Sequence, residues 1–231
     1  MKNVALSIVA MAFTSMCVVA QPVQISQATI AASTANRSTN GFPFTISQPG
    51  SYILTSNLVV PPNTHGIIIT SDNVTLDLNG FTISGPIQCT GSGASLTCTS
   101  SVTTDGVFAA NTTSNLTVRN GSAVGFTNGV LMVGDGNLVE EIHARGNADG
   151  GISIHDGVVR RNTAIRNGGV GIFAPGSTVS ENVANFNVTW GLSIGDGGLF
   201  GSNTFVGNGL APVLNIGAVS QHNNSCNGAG C

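Results

Sequence analysis

Asparagine recurs in this sequence at intervals that a stacked repeat produces. Asn162, Asn182, Asn203 and Asn223 stand 20, 21 and 20 residues apart. Asn147, Asn167, Asn187 and Asn208 form a second series at 20, 20 and 21. The extra residue falls within one unit, Gly191–Leu210, in both series, so a single insertion corrects both registers. Glycine keeps the same beat. The segments Gly129-Val-Leu-Met, Gly151-Ile-Ser-Ile, Gly171-Ile-Phe-Ala and Gly191-Leu-Ser-Ile begin 22, 20 and 20 residues apart. Gly66-Ile-Ile-Ile and Gly106-Val-Phe-Ala extend the series upstream, and Ala211-Pro-Val-Leu continues it without its glycine.

A unit of about 20 residues is too short to bury its own apolar face, so neighbours must stack. Each unit holds short alternating runs separated by Gly, Asn or Asp, which is strand chemistry. The alternation points Ile152 and Ile154 inward and Ser153 outward. The same inward pair recurs as Val130/Met132, Ile172/Ala174 and Leu192/Ile194, with Val159 and Ala164 continuing the core. Asparagines at the turns tolerate left-handed backbone, and at a rung spacing of about 4.8 Å their amides can bond along a ladder. Glu141, Arg161 and Glu181 share one position, as do Glu140 and Arg160, which predicts cross-rung ion pairs. The fold class expected is all-β: a single-domain right-handed parallel β-helix, a solenoid of about 7–8 rungs. A sandwich or barrel fits the strand pattern but not the strict asparagine register.

Composition narrows the function classes. Only 7% of the 231 residues are charged and the net charge is −3. No basic field exists to hold nucleic acid. Long exposed helices need far more Glu, Lys and Arg.

Residues 1–20 read as a signal peptide. Lys2 precedes the apolar run Val4–Val19, and Val18-x-Ala20 supplies small residues at a cleavage site. The alternative is an uncleaved anchor. Cleavage implies a secreted, periplasmic or cell-surface protein with no membrane span in the mature chain. Residues 21–41 form an N-terminal cap or a flexible segment, and residues 42–231 the β-helix, with a loop insertion at 86–105 projecting from one rung. Cys89, Cys98, Cys226 and Cys231 remain after cleavage. Three pairings are possible, and the local ones, Cys89–Cys98 and Cys226–Cys231, each close a Gly-rich loop. Neither spacing suits zinc.

The run Pro49-Gly-Ser-Tyr-Ile-Leu-Thr-Ser-Asn-Leu, followed by His65-Gly-Ile-Ile-Ile-Thr-Ser-Asp-Asn-Val-Thr-Leu-Asp-Leu-Asn-Gly-Phe-Thr-Ile, resembles the opening of right-handed parallel β-helix repeat proteins. These are the pectin-lyase-like superfamily in the broad sense, including NosD-type repeats. The resemblance spans roughly residues 42–225. It implies the fold but no single activity, since lyases, hydrolases, epimerases, tailspikes and adhesins share it. In its polysaccharide enzymes the cleft lies on the outer face of one long parallel sheet.

If the strand after each repeat glycine forms that sheet, its outward residues are Phe108, Leu131, Ser153, Phe173, Ser193 and Val213. None is a carboxylate, lysine or arginine, whereas general acid–base cleavage of an acidic sugar needs such groups. The candidate catalytic cluster lies at the next turn. There His155 would act as base, Asp135 and Asp156 as orienters or Ca²⁺ ligands, and Arg160 as an anion clamp. The structural alternative reads Asp-Gly as a repeated turn dipeptide and the arginines as partners of glutamates. Phe108, Phe173 and Trp190 are candidate ligand-binding rings, since an exposed aromatic ring can stack on a sugar. His65, His143 and His222 stand apart as surface or turn residues. Two functions follow. One is a non-catalytic exported module that is structural or binds a polysaccharide or cell-surface glycan. The other is a polysaccharide lyase, hydrolase or epimerase acting on an acidic glycan. No cofactor is called for beyond the Ca²⁺ that the aspartates would hold, and the oligomeric state is left open.

Overall fold

The computed structural model describes residues 21–33, 39–99, 103–110 and 112–230. Residues 1–20, which the sequence reads as a signal peptide, and Cys231 lie outside the described residues.

The chain winds into a parallel β-solenoid with three strand faces. The first face is an eight-stranded parallel sheet: Phe44–Ile46, Ile67–Ile69, Asp105–Ala109, Asn128–Met132, Ile152–Ile154, Ile172–Phe173, Trp190–Ile194 and Ala211–Asn215. The second face runs from Val23–Ile25 through Thr178–Ser180 to Val219–Ser220, and the third from Leu58–Val59 to Ser225–Cys226. These two faces form one 16-stranded sheet because Thr117–Val124 and Leu138–Arg145 bend across both. The second face passes nine strands, so the solenoid has about nine turns rather than 7–8. The first rungs escape a count based on glycine and asparagine because Val23–Ile25 and Phe44–Ile46 carry neither marker.

Alternation builds the core. Val130, Met132, Ile152, Ile154, Ile172, Ala174, Leu192 and Ile194 are all buried inside the first face, with Val159 and Ala164 behind the other two. At the N-terminal end, Val23–Ile25 pairs with Tyr52–Leu54. The short helix Gln27–Ala31, capped by Ser26 and Thr29, sinks Ile30 into the same core.

The asparagine ladders are continuous. The Nδ2 groups of Asn162, Asn182 and Asn203 each donate to the next Oδ1 at 3.0 Å. Asn147, Asn167 and Asn187 do the same, ending on Asn208. The last member of the first series is Asn224 and not Asn223; Asn223 sits one residue earlier with a left-handed φ of 57°. The ladder also explains the glycines. A Cβ on Gly171 would lie 2.5 Å from Asn187 Nδ2 and 2.7 Å from Gly191 O. Glycine and asparagine are thus two halves of one contact between coils. The final coil lies beyond the ladder that ends at Asn208, and there Pro212 takes the glycine position.

That same unit corrects one outward residue. Ser193 is in register with Leu214 and Leu192 with Val213, so Val213 packs against the core and Leu214 joins the outer column. The extra residue in the unit Gly191–Leu210 shifts the strand by one, and a shift of one exchanges faces.

The insertion does not project freely. Cys89–Thr90 and Thr97–Cys98 form an antiparallel hairpin closed by the Cys89–Cys98 disulfide. The hairpin lies back along the solenoid: the Ile87 N–H donates to Gly125 O and the Gly93 N–H to Phe186 O, both at 2.9 Å. Cys226 is also disulfide-bonded. Among the described residues, no helix is long and apolar enough to cross a membrane.

Candidate functional site

Two outer surfaces carry the residues singled out above. The first is the outside of the eight-stranded sheet. Parallel register places Ile68, Phe108, Leu131, Ser153, Phe173, Ser193 and Leu214 in one axial column. The column is apolar or hydroxylic throughout. Phe173 is 37% exposed and meets the His155 ring edge-on at 5.5 Å. Phe108 is half-buried and stacks on His65 at 5.2 Å. Near Phe173, a cavity of about 240 Å³ is lined by Pro175, Ser193, Ile194 and Ile216. Trp190 opens the seventh strand and is half-buried, opposite Ala211.

The second surface is the turn after this sheet. Asp156 and Arg160 line a cavity of about 340 Å³ together with Asn137, Leu138, Val158 and Gly176. Asp156 adopts φ 45°, the left-handed conformation that aspartate tolerates, and its carboxylate leans over Gly176. Gly176 itself sits at φ 66°, a left-handed conformation that favours glycine, and a Cβ there would also meet the Asp156 carboxylate. Arg160 is not a free clamp. Its Nη2 sits 2.9 Å from Glu140 Oε2, and Arg161 reaches both Glu140 (2.7 Å) and Glu141 (3.1 Å). Glu181 makes no ion pair among the described residues.

The four catalytic candidates therefore divide. Asp156 and Arg160 share the turn cavity, and His155 turns toward Phe173 on the sheet face. Asp135 does not line that cavity; its carbonyl accepts from the Asn115 N–H at 3.3 Å. No hydrogen bond joins His155 to Asp135 or Asp156 among the described residues. Nor do His, Cys, Asp and Glu gather there into a group of three or more with metal-site geometry. A Ca²⁺ ion there would have to draw its oxygens from Asp156 and backbone carbonyls, since Asn137 Oδ1 already accepts the Leu116 N–H at 2.9 Å.

Sequence reasoning missed one polar cluster. His65 is not isolated. Its Nδ1 accepts the Asp105 N–H at 3.0 Å and lies 3.3 Å from Asp105 Oδ2. The Asp105 side chain is only 2% exposed, and Asn128 Nδ2 donates to its Oδ1 at 2.8 Å. The Asn128 amide thus supplies a donor to a carboxylate whose burial would otherwise be costlier. The signal was present: His65, Asp105 and Asn128 each immediately precede a repeat glycine, so they stack. Asp105, assigned to the end of the loop, instead opens a strand.

No family model and no curated protein matches the chain. Among solved structures, the crystal structure of the Agl-KA catalytic domain superposes with a TM-score of 0.51 at 16% identity. The match covers 89% of this chain and 47% of that one, so the chain spans about half its length. At that identity the likeness is one of fold.

Proposed function

We propose that the protein is an exported, non-catalytic module whose eight-stranded sheet face binds a neutral polysaccharide. The observation that carries this reading is the outward column from Ile68 to Leu214, which holds two phenylalanines and no charged side chain. Phe108 and Phe173 are three rungs apart, about 14 Å at the usual strand spacing. Rings set along one straight column suit the apolar faces of separate, non-adjacent sugar units in an extended chain. The hydroxyls of Ser153 and Ser193 lie between and beside them. Export rests on the signal-like residues 1–20 and on disulfide use, which belongs to oxidising compartments. Binding to a panel of insoluble and soluble glucans, mannans and uronate polymers tests the reading. Retention on a neutral polymer, lost about tenfold in Phe173→Ala and further in Phe108→Ala/Phe173→Ala, is expected. Equal retention of the double variant would overturn it.

A second reading, a lyase, hydrolase or epimerase for an acidic glycan, draws support from Asp156 and Arg160 in one cavity. The neighbour in fold is itself described as a catalytic domain. New reducing or unsaturated ends released from a uronate polymer, and abolished by Asp156→Asn, would favour it over the first.

A further inference from the structure

Three of the five arginines among the described residues are paired with carboxylates. Arg119 pairs with Asp77, and Arg160 and Arg161 pair with Glu140 and Glu141. Arg145 and Arg166 are the exceptions: among the described residues neither has a carboxylate within 4.0 Å or a hydrogen bond from its side chain. Both line the same cleft, of about 390 Å³, beneath the disulfide hairpin.

The placement follows from the coil geometry. Arg145 ends the strand Leu138–Arg145 and stands in register with Ile165 on the next coil. Arg166 follows Ile165 at φ 55°, and its carbonyl accepts the Gly146 N–H at 3.0 Å. The two arginines therefore rise from adjacent coils at one corner, about 4.8 Å apart along the axis at backbone level. Both side chains are exposed at this corner, and two guanidinium groups on one cleft without carboxylate partners attract anions. The apolar part of the lining is Leu96 from the hairpin, Ile165 from the coil and the Cys89 half-cystine, beside Thr90, Gly91 and Gly146. The hairpin is anchored at Gly125 and Phe186, and Cys89 Sγ rests 3.2 Å from Gly146 O, so the roof is preorganised above the arginines.

We propose that this cleft is a binding site for a small organic dianion, distinct from the sheet face. Each guanidinium takes one anionic group, and Leu96 and Ile165 cover the hydrocarbon between them. The volume falls within the range of small-molecule sites. A neutral analogue gains nothing from the arginines, and a bare inorganic ion leaves the apolar walls uncovered.

Titration calorimetry of the full chain with adipate, at low ionic strength, tests the site, with adipamide as the neutral match and sulfate as the ion without a body. Adipate is expected to bind more tightly than sulfate, and adipamide to give no heat. Arg145→Gln and Arg166→Gln should each weaken adipate about tenfold or more, as loss of a charge-assisted contact does. Their melting temperatures should stay at the wild-type value, because neither guanidinium has a partner among the described residues. Cys89→Ser/Cys98→Ser should weaken adipate by freeing the roof. Phe173→Ala should leave adipate binding unchanged, which separates this site from the glycan face. Absence of adipate binding at about 20 mM, weaker than the weakest specific sites, would overturn the proposal. So would equal binding of adipamide, or undiminished binding by Arg145→Gln/Arg166→Gln.

Discussion

Replacing Asn182 with alanine removes five side-chain hydrogen bonds from the middle of a buried ladder. Its Oδ1 accepts from the Asn162 N–H (2.9 Å) and Asn162 Nδ2 (3.0 Å). Its Nδ2 donates to Val159 O (2.9 Å), Ser180 O (2.9 Å) and Asn203 Oδ1 (3.0 Å). Asn182 is 1% exposed, so water cannot replace these partners. At least two donors on Asn162 lose their acceptor, and each orphaned buried group costs about 1–3 kcal/mol. The sum, about 2–6 kcal/mol, is a large share of a typical stability of about 5–15 kcal/mol. For a chain of this size it corresponds to a fall in melting temperature of roughly 5–20 °C. The substitution Asn182→Asp sharpens the test. It keeps the shape and the acceptor, but it sets a carboxylate oxygen against the three acceptors that Nδ2 now serves. Burial among acceptors raises the carboxyl pKa in the folded state above its unfolded value of about 4. The penalty is therefore full above the raised folded pKa and absent below the unfolded one. The gap between Asn182→Asp and wild type should be wide at pH 7 and narrow as pH falls toward about 4. Calorimetric melts over that range measure it. If both variants melt within about 1 °C of wild type at pH 7, or the deficit of Asn182→Asp ignores pH, the ladder argument is refuted.

Three other perturbations have defined outcomes. Gly171→Ala pushes a methyl group into Asn187 Nδ2 and Gly191 O, and should cost about 1–3 kcal/mol in urea unfolding. Val213→Asp should melt several degrees below Leu214→Asp, since only Val213 faces the core; the reverse order would mean a different register in the last coil. Glu140→Gln unpairs Arg160 and leaves Arg161 with Glu141 alone; both arginines are about 40% exposed (41% and 40%), so solvent screening limits the loss to about 1 kcal/mol. That loss should disappear in molar salt, and a deficit indifferent to salt would show that packing and not charge is at work.

The parts of the fold legible in the sequence are those set by contacts between identical positions on successive coils. Asn162 meets Asn182 and Ile152 meets Ile172 because parallel stacking without slip repeats one environment. Where identity fails, the reading fails with it. Val213 and Asn223 are each misplaced by one residue at the last coil, where no further rung demands glycine and the register marker is lost. The path of the hairpin depends on hydrogen bonds from Ile87 and Gly93 to turns many residues away, and no periodicity encodes those. His65 and Asp105 are separated by the insertion, which hides that both precede a repeat glycine. At the candidate site, the sequence places Asp156 and Arg160 together because they belong to one turn. The shared position of Glu140 and Arg160 also predicts their ion pair, but nothing in the sequence shows that His155 faces the neighbouring sheet.

The central claim is that each coil lies on the next in strict register, and paired cysteines test it most directly. Thr163 and Val183 are register partners on the outer surface, while Ala184 points into the core. Neighbouring parallel strands bring partner Cα atoms within the roughly 4.4–6.8 Å that a disulfide spans. Mild oxidation of Thr163→Cys/Val183→Cys, read by peptide mass mapping, should link residues 163 and 183, whereas Thr163→Cys/Ala184→Cys should stay reduced. A 163–184 link, or none between 163 and 183, would contradict the stacked-coil account.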